Sequence, residues 1–169
     1  GSFVPFDGAI VFSNFEDQRV WLTISDNEIG GSEVMPITQP GPYRYADGEI
    51  DLTRARLSHL GSWVDAEYVC VREDHTIDVP ADILNALVSV NLSNGKTRVV
   101  AEGRDFYVSP TMSPDGKGLA FVCYDHPSMP WDETELWISV LDKQNGDVLR
   151  SVKLVGEKLR PESVMQPKW

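Results

Sequence analysis

The chain has 169 residues, 41% of them apolar, with 26 acidic against 15 basic side chains and a formal net charge of −11. A chain of this length buries roughly 70% of its unfolded surface in one core, and so negative a surface repels phosphate backbones and anionic lipid head groups, which excludes nucleic acid and membrane surface as partners. The longest apolar runs, such as LAFVC at 119–123, reach about a quarter of a bilayer span, and no basic stretch precedes an apolar one at the start, so the chain reads as soluble and cytoplasmic.

Taken in chain order, the elements are short strands. FVPF (3–6) leads through Asp7-Gly8 into AIVFSNFED (9–17), RVWLTIS (19–25), a Gly30-Gly31 turn and EVMPIT (33–38). YRYA precedes Asp47-Gly48, after which DLTRARLSHLGSW reads as an insertion or elongated loop. EYVCVREDH (67–75), NALVSVNL (85–92) and an Asn94-Gly95 pair follow, then FYVSPTM, Asp115-Gly116, LAFVCYDH (119–126), ELWISVL (135–141) and Asn145-Gly146. The alternation in RVWLTI, ALVSV and ELWISV has period 2, and no segment competes as a helix. The Asn-Gly pairs predict hairpins, with type I′ turns because both central residues tolerate positive φ.

The chain repeats itself. Asp74 and Asp125, His75 and His126, and Asn94 and Asn145 each lie 51 positions apart, and the opening segment is a more degenerate copy of the same unit. Four short strands per unit of about fifty residues is the signature of a β-propeller blade. The fold class predicted is therefore all-β: a partial β-propeller of about three four-stranded antiparallel blades with TolB/WD40-like repeats and an open ring. The blades span 3–38, 43–101 and 105–156, and 162–169 is read as the first strand of a fourth. Cys70 and Cys123 stand outside any CxxC or Cys/His spacing, so they are read as buried strand residues in a reducing compartment, and neither a metal nor a cofactor is predicted.

The links between second and third strands fall on one rim: Asn14 to Asp17, Arg72 to His75, and the crowded YDHPSMPWDET. They supply the candidate residues Glu16, Asp17, Arg72, Glu73, Asp74, His75, Asp125, His126, Met129, Trp131 and Asp132. Two readings stand side by side. These residues line a substrate channel or dock another domain, or the aspartates cap loop amides while the histidines pack at the rim. Glu16-Asp17 and Glu73-Asp74 read either as carboxylate pairs for an ammonium group or as solvated loop charges. Pro127 and Pro130 stiffen the third link, Met129 and Trp131 offer apolar surface to bury, and Trp137 is read as packing between blades.

DFYVSPTMSPDGKGLAFVCYDHPSMPWDETELWISVLD (105–142) resembles the propeller of the prolyl oligopeptidase family (peptidase family S9), in its acylaminoacyl peptidase and dipeptidyl aminopeptidase-like branch. FSNFEDQRVW, GPYRYADGEIDLTRARL, CVREDH and ESVMQPKW extend the resemblance over nearly the whole chain. Ser128 and Glu133 depart from it, where Asn and Gly are common. The resemblance implies a propeller of about seven blades followed by an α/β-hydrolase domain carrying Ser, Asp and His. No G-x-S-x-G nucleophile elbow occurs here, so no catalytic residue is assigned.

The function expected is thus a non-catalytic propeller fragment of a serine peptidase, gating peptide access and docking the hydrolase domain of the parent chain. The alternative is a stand-alone propeller-type module for protein binding or self-assembly. Roughly three blades do not close a ring, which typically takes four to eight, so self-association through open blade edges is expected as well.

Overall fold

The computed structural model describes residues 2–26, 31–59, 63–156 and 161–169. Its strands run β1 (Phe3–Phe6), β2 (Ala9–Ser13), β3 (Val20–Asp26), β4 (Gly31–Pro36), β5 (Tyr43–Asp51), β6 (Arg56–Leu57), β7 (Trp63–Val64), β8 (Glu67–Asp74), β9 (Leu84–Asn91), β10 (Thr97–Glu102), β11 (Phe106–Met112), β12 (Gly118–Tyr124), β13 (Glu135–Leu141) and β14 (Val148–Val155). One turn of 3-10 helix covers Pro80–Asp82. Three antiparallel sheets result, in the orders β1-β2-β3-β4, β5-β8-β9-β10 and β11-β12-β13-β14, with β6-β7 a separate two-stranded ribbon. No helix among the described residues is long and apolar enough to cross a membrane.

Each sheet is a blade, and the molecule is an all-β partial propeller. The first strands converge: β5 touches both β1 and β11, so the sheets fan outward from their first strands. Packing follows from the period-2 alternation. Tyr68, Cys70, Val88 and Val90 join Val11, Val20 and Leu22 in one core between the first and second sheets. Val69, Val71 and Leu87 join Tyr107, Leu119, Phe121 and Cys123 in another, between the second and third. The central strands of the middle sheet are covered on both faces, which is why YVCV (68–71) is an unbroken buried run rather than an alternating one. Both cysteines are free and buried, and Trp137 packs against the second core.

The turns show where local chemistry departs from the sequence reading. Asp7 and Gly8 both take positive φ, 40° and 77°, as a type I′ turn requires. The Asn-Gly pairs do not form that turn. Among these four residues only Gly95 and Gly146 are left-handed, and each closes a longer loop in which Gly95 N–H donates to Asn91 O and Gly146 N–H to Asp142 O. Asn91 and Asp142 cause the change. Their Oδ1 atoms accept from the backbone N–H groups two and three residues on, which winds the chain through a tighter local turn first. Gly30 lies outside the described residues, although β3 and β4 pair as a hairpin on either side of it.

Asp47-Gly48 does not end a strand. It is a bulge inside β5, where the register with β8 shifts between Ala46 and Glu49. Gly48 is needed there because a Cβ would lie 2.6 Å from the Cβ of Cys70 and as close to the Tyr68 ring. The insertion accordingly starts after Asp51 and contains β6 and β7, with residues 60–62 outside the described set. Residues 161–169 form no strand. Single contacts hold them in place of a ladder: Thr134 N–H donates to Glu162 O, Val164 N–H donates to Thr134 Oγ1, Thr134 Oγ1–H donates to Val164 O, and the Trp169 side chain donates Nε1–H to Thr111 O.

Leu87 is fully buried between two sheets, whereas Val99 is 42% exposed on β10. Leu87→Ala is expected to cost about 2–5 kcal/mol and Val99→Ala under about 0.5 kcal/mol. Urea unfolding of both variants checks this, and equal losses would contradict the two-faced packing of the middle sheet.

Candidate functional site

A chain of contacts places the three second-to-third-strand links on one side. Ser13, at the end of β2, donates its hydroxyl to Tyr45 O near the start of β5, and that start pairs with the end of β8, Tyr43 opposite Asp74. Asn85, early in β9, donates to Asp105 O, and β11 then begins by pairing Phe106 with Tyr124 at the end of β12. Loops 14–19, 75–83 and 125–134 therefore share a rim. The Asn-Gly loops and the Asp7-Gly8 and Ser113–Gly116 turns lie at the opposite ends of the strands.

On this rim the carboxylates are largely spent within their own loops. Asp17 accepts from Asn14 Nδ2 (2.9 Å), Arg19 N–H (3.2 Å) and Trp21 Nε1 (3.1 Å). Desolvation pushes its carboxyl up, but these hydrogen bonds and the nearby Arg19 charge hold it below its usual value. Asp74 accepts from the Thr76 hydroxyl at 2.6 Å and its N–H at 2.9 Å, which lowers its pKa too. Asp125 accepts from Asp105 N–H (2.8 Å) and lies 2.7 Å from Arg104 Nε, while Asp132 accepts from Met129 N–H (3.1 Å). Glu16 is exposed and Glu73 meets His75. Arg72 stacks on the Tyr43 ring, 4.6 Å from its centroid.

The two histidines differ. His75 sits between Glu73 and Asp78, whereas His126 is exposed and lies edge-on to Phe106 at 5.0 Å, its backbone N–H donated to Asp105 Oδ2. Beside His126 a cleft of about 380 Å³ is lined by Arg104, Tyr124, Asp125, Ser128, Glu133 and Glu135. Its arginine is already paired with two of its carboxylates, Asp125 and Glu135. Arg104 reaches Glu135 at 2.6 Å, and Lys153 reaches the same carboxylate at 3.2 Å. Desolvation raises Glu135, but the hydrogen bonds from Arg104, Trp137 and Lys153 outweigh it and leave the carboxyl low.

Among the exposed groups of the rim is a set of large apolar side chains, which stand beside the exposed Glu16, Asp78 and Asp132. Phe15 is 85% exposed and Trp131 69%, and Ile77, Val79, Leu84 and Met129 are exposed beside them. Phe15 and the 77–84 group do not stand out in the sequence, because single apolar residues in a polar loop are common. The signal available was the β-branched pair Ile77 and Val79 within HTIDVPAD, too wet a stretch to be a strand. A second and larger concavity, about 640 Å³, opens between the bulges of β5 and β11 and residues 166–169. Asp47, Ser109 and Gln166, which line it, all take positive φ, and Asp47 Oδ2 accepts from Ser109 N–H at 2.6 Å.

No family model and no curated protein matches the chain. Solved structures do. Puromycin hydrolase superposes with a TM-score of 0.73 at 28% identity, over 92% of this chain and 24% of its own, and a mutant form complexed with PGG gives 0.74 at the same identity and coverage. A puromycin-hydrolyzing peptidase of Mycobacterium tuberculosis gives 0.69 at 30% identity, over 93% and 24%. The chain matches the amino-terminal propeller of the prolyl oligopeptidase family. It spans about a quarter of the length of these peptidases. The matched part is the propeller, and the catalytic part of the family lies outside it.

Because Asp17 and Asp74 are held below their usual pKa, each contributes stability that is complete above the unfolded value of about 3.9 and is lost as pH falls through the folded value. Unfolding free energy is expected to fall as pH drops below about 4, with a shallower fall in Asp17→Asn and Asp74→Asn. Denaturation series in acid measure this, and an unchanged slope in both variants would contradict the bracing role.

Proposed function

We propose that this chain is the non-catalytic, amino-terminal propeller portion of a serine peptidase, and that its rim docks the hydrolase domain of the parent and restricts peptide access to it. The observation that carries the reading is the division on the rim. Asp17, Asp74 and Asp125 are engaged in bracing their own loops, while Phe15, Ile77, Val79, Leu84, Met129 and Trp131 turn outward. Exposed apolar groups set among fixed polar ones suit a contact surface better than an ion-binding one. Access is restricted by shape: the concavity between first strands is bounded by the bulged backbone of β5 and β11 and by residues 166–169. The substrates proposed for the parent are short peptides and peptide-like amides, the class to which the neighbours' puromycin belongs.

The surrounding reading frame tests this. Further propeller repeats followed by a G-x-S-x-G elbow in an α/β pattern are expected, and their absence from the complete frame would overturn the assignment. In that complete protein, Trp131→Ala and Phe15→Ala should lower kcat/KM for peptides about tenfold or more. Leu149→Ala, on the far edge of the third sheet, should not.

A second reading, self-association, is favoured by a different surface. Leu149, Val152 and Leu154 on the edge strand β14 are 64%, 41% and 55% exposed, and Phe3 and Val34 are exposed on the first sheet. Unpaired edges with apolar side chains template further pairing. Concentration-dependent association near about 100 μM is expected, reduced in Leu154→Lys. Sedimentation showing a monomer throughout that range would exclude it.

A further inference from the structure

The loop 75–83 is tied down by a histidine with two anionic partners. The His75 side chain is only 8% exposed although it lies at the surface, with Nδ1 2.8 Å from Asp78 Oδ1 and Nε2 2.9 Å from Glu73 Oε2. A neutral imidazole has one N–H and one lone pair. It can donate to one of these carboxylates, and it then turns its lone pair on the other. Both contacts are favourable together only in the imidazolium form.

We propose that His75 is a proton-sensitive clamp, which locks loop 75–83 onto the end of β8 when charged and releases Asp78 when neutral. Asp78 is the partner that lets go, because its side chain is 71% exposed and can take water instead, while Glu73 is fixed within a strand. The other charged groups around the ring do not replace the clamp. Arg44, on β5, lies 3.9 Å from Asp78 and opposes the imidazolium charge. Asp74 is committed to Thr76, and Arg72 to the Tyr43 ring. The hydrogen bonds to Asp78 and then Glu73 outweigh desolvation and Arg44, and raise the His75 pKa above its usual 6.5.

The sign follows directly. A raised folded pKa makes the stabilisation complete below the unfolded value and lost as pH rises through the folded one, so the loop loosens as pH climbs through a midpoint above 6.5. Ile77 and Val79 ride on this loop, so proton loss changes how two of the outward apolar side chains are presented. The clamp belongs to this blade alone. One repeat later His126 is exposed against Phe106, and its loop is held instead by Asp132 and Thr134. The clamp holds whether or not the rim docks a hydrolase domain, since its test reads the loop itself.

The test is a titration of the His75 ring by NMR from about pH 5.5 to about 8.5, with hydrogen exchange of residues 75–83, corrected for intrinsic rate, over the same range. The midpoint is expected above 6.5, moved downward in Asp78→Asn and in Glu73→Gln. Exchange should rise about tenfold through that midpoint. The rise should vanish in His75→Gln and survive in His126→Gln. A midpoint at or below 6.5, one that ignores Asp78→Asn, or the same exchange step in His75→Gln would overturn the clamp. If His75→Gln does not fold by circular dichroism, the Asp78→Asn midpoint and exchange step decide alone.

Discussion

The structure rests on one constraint, that the two central strands of the middle sheet, β8 and β9, are covered on both faces. Residues of β8 and β9 alternate between two cores, Tyr68, Cys70, Val88 and Val90 toward the first sheet and Val69, Val71 and Leu87 toward the third. A four-stranded sheet has too little thickness to make a core of its own, and its apolar groups find partners only across a neighbour. Burial is non-directional. It brings sheets together but leaves them free to slide, so something else must set their angle and height.

Polar contacts at both ends of the strands do this. On the Asn-Gly side, Asp51 is buried and receives the Thr53 hydroxyl and N–H, together with a contact from Arg54. Arg54 continues to Gly116 O and Arg98 to Gly146 O, and both guanidinium groups meet Glu67. Two arginines of the second blade thus hold the two turns of the third. On the rim, Asp105 and Arg104 do the corresponding work through Asp125 and Glu135. Ion pairs this covered recover little beyond their desolvation cost, and their contribution is to fix the relative placement that apolar packing leaves open. That placement is what lines up three loops from three sheets.

Much of this was legible in the sequence, for a physical reason. Repeats show through turn residues, because a reversal of the chain needs particular φ values and few side chains supply them. The 51-residue spacing of Asp74/Asp125 and Asn94/Asn145 follows from those demands, and blade number and the shared rim follow from the spacing. What escaped was decided by contacts across sequence. Asp47-Gly48 has the composition of a hairpin turn, and becomes a bulge because Tyr68 and Cys70 crowd the backbone at Gly48. The Asn-Gly loops were lengthened by Asn91 and Asp142, which sit outside the dipeptide that signals the turn. Residues 162–169 alternate well enough for a strand, yet a strand exists only where a ladder partner does.

The candidate rim was legible in position, and of its two chemical readings the structure fits the one in which the aspartates cap loop amides. Carboxylates drew attention because four fall within residues 124–138, but a short polar side chain at the end of a strand is most useful to the loop it begins. Asp17, Asp74 and Asp125 each satisfy backbone N–H groups that would otherwise face solvent at the point where the ladder stops. Once bonded in this way they are poor ligands, because a partner would have to replace hydrogen bonds already made. The apolar residues between them carry no such commitment. Ordered polar groups therefore serve as the frame that holds the loops, and Phe15, Ile77, Leu84 and Trp131 are left exposed between them, which is the feature on which the proposed docking role rests.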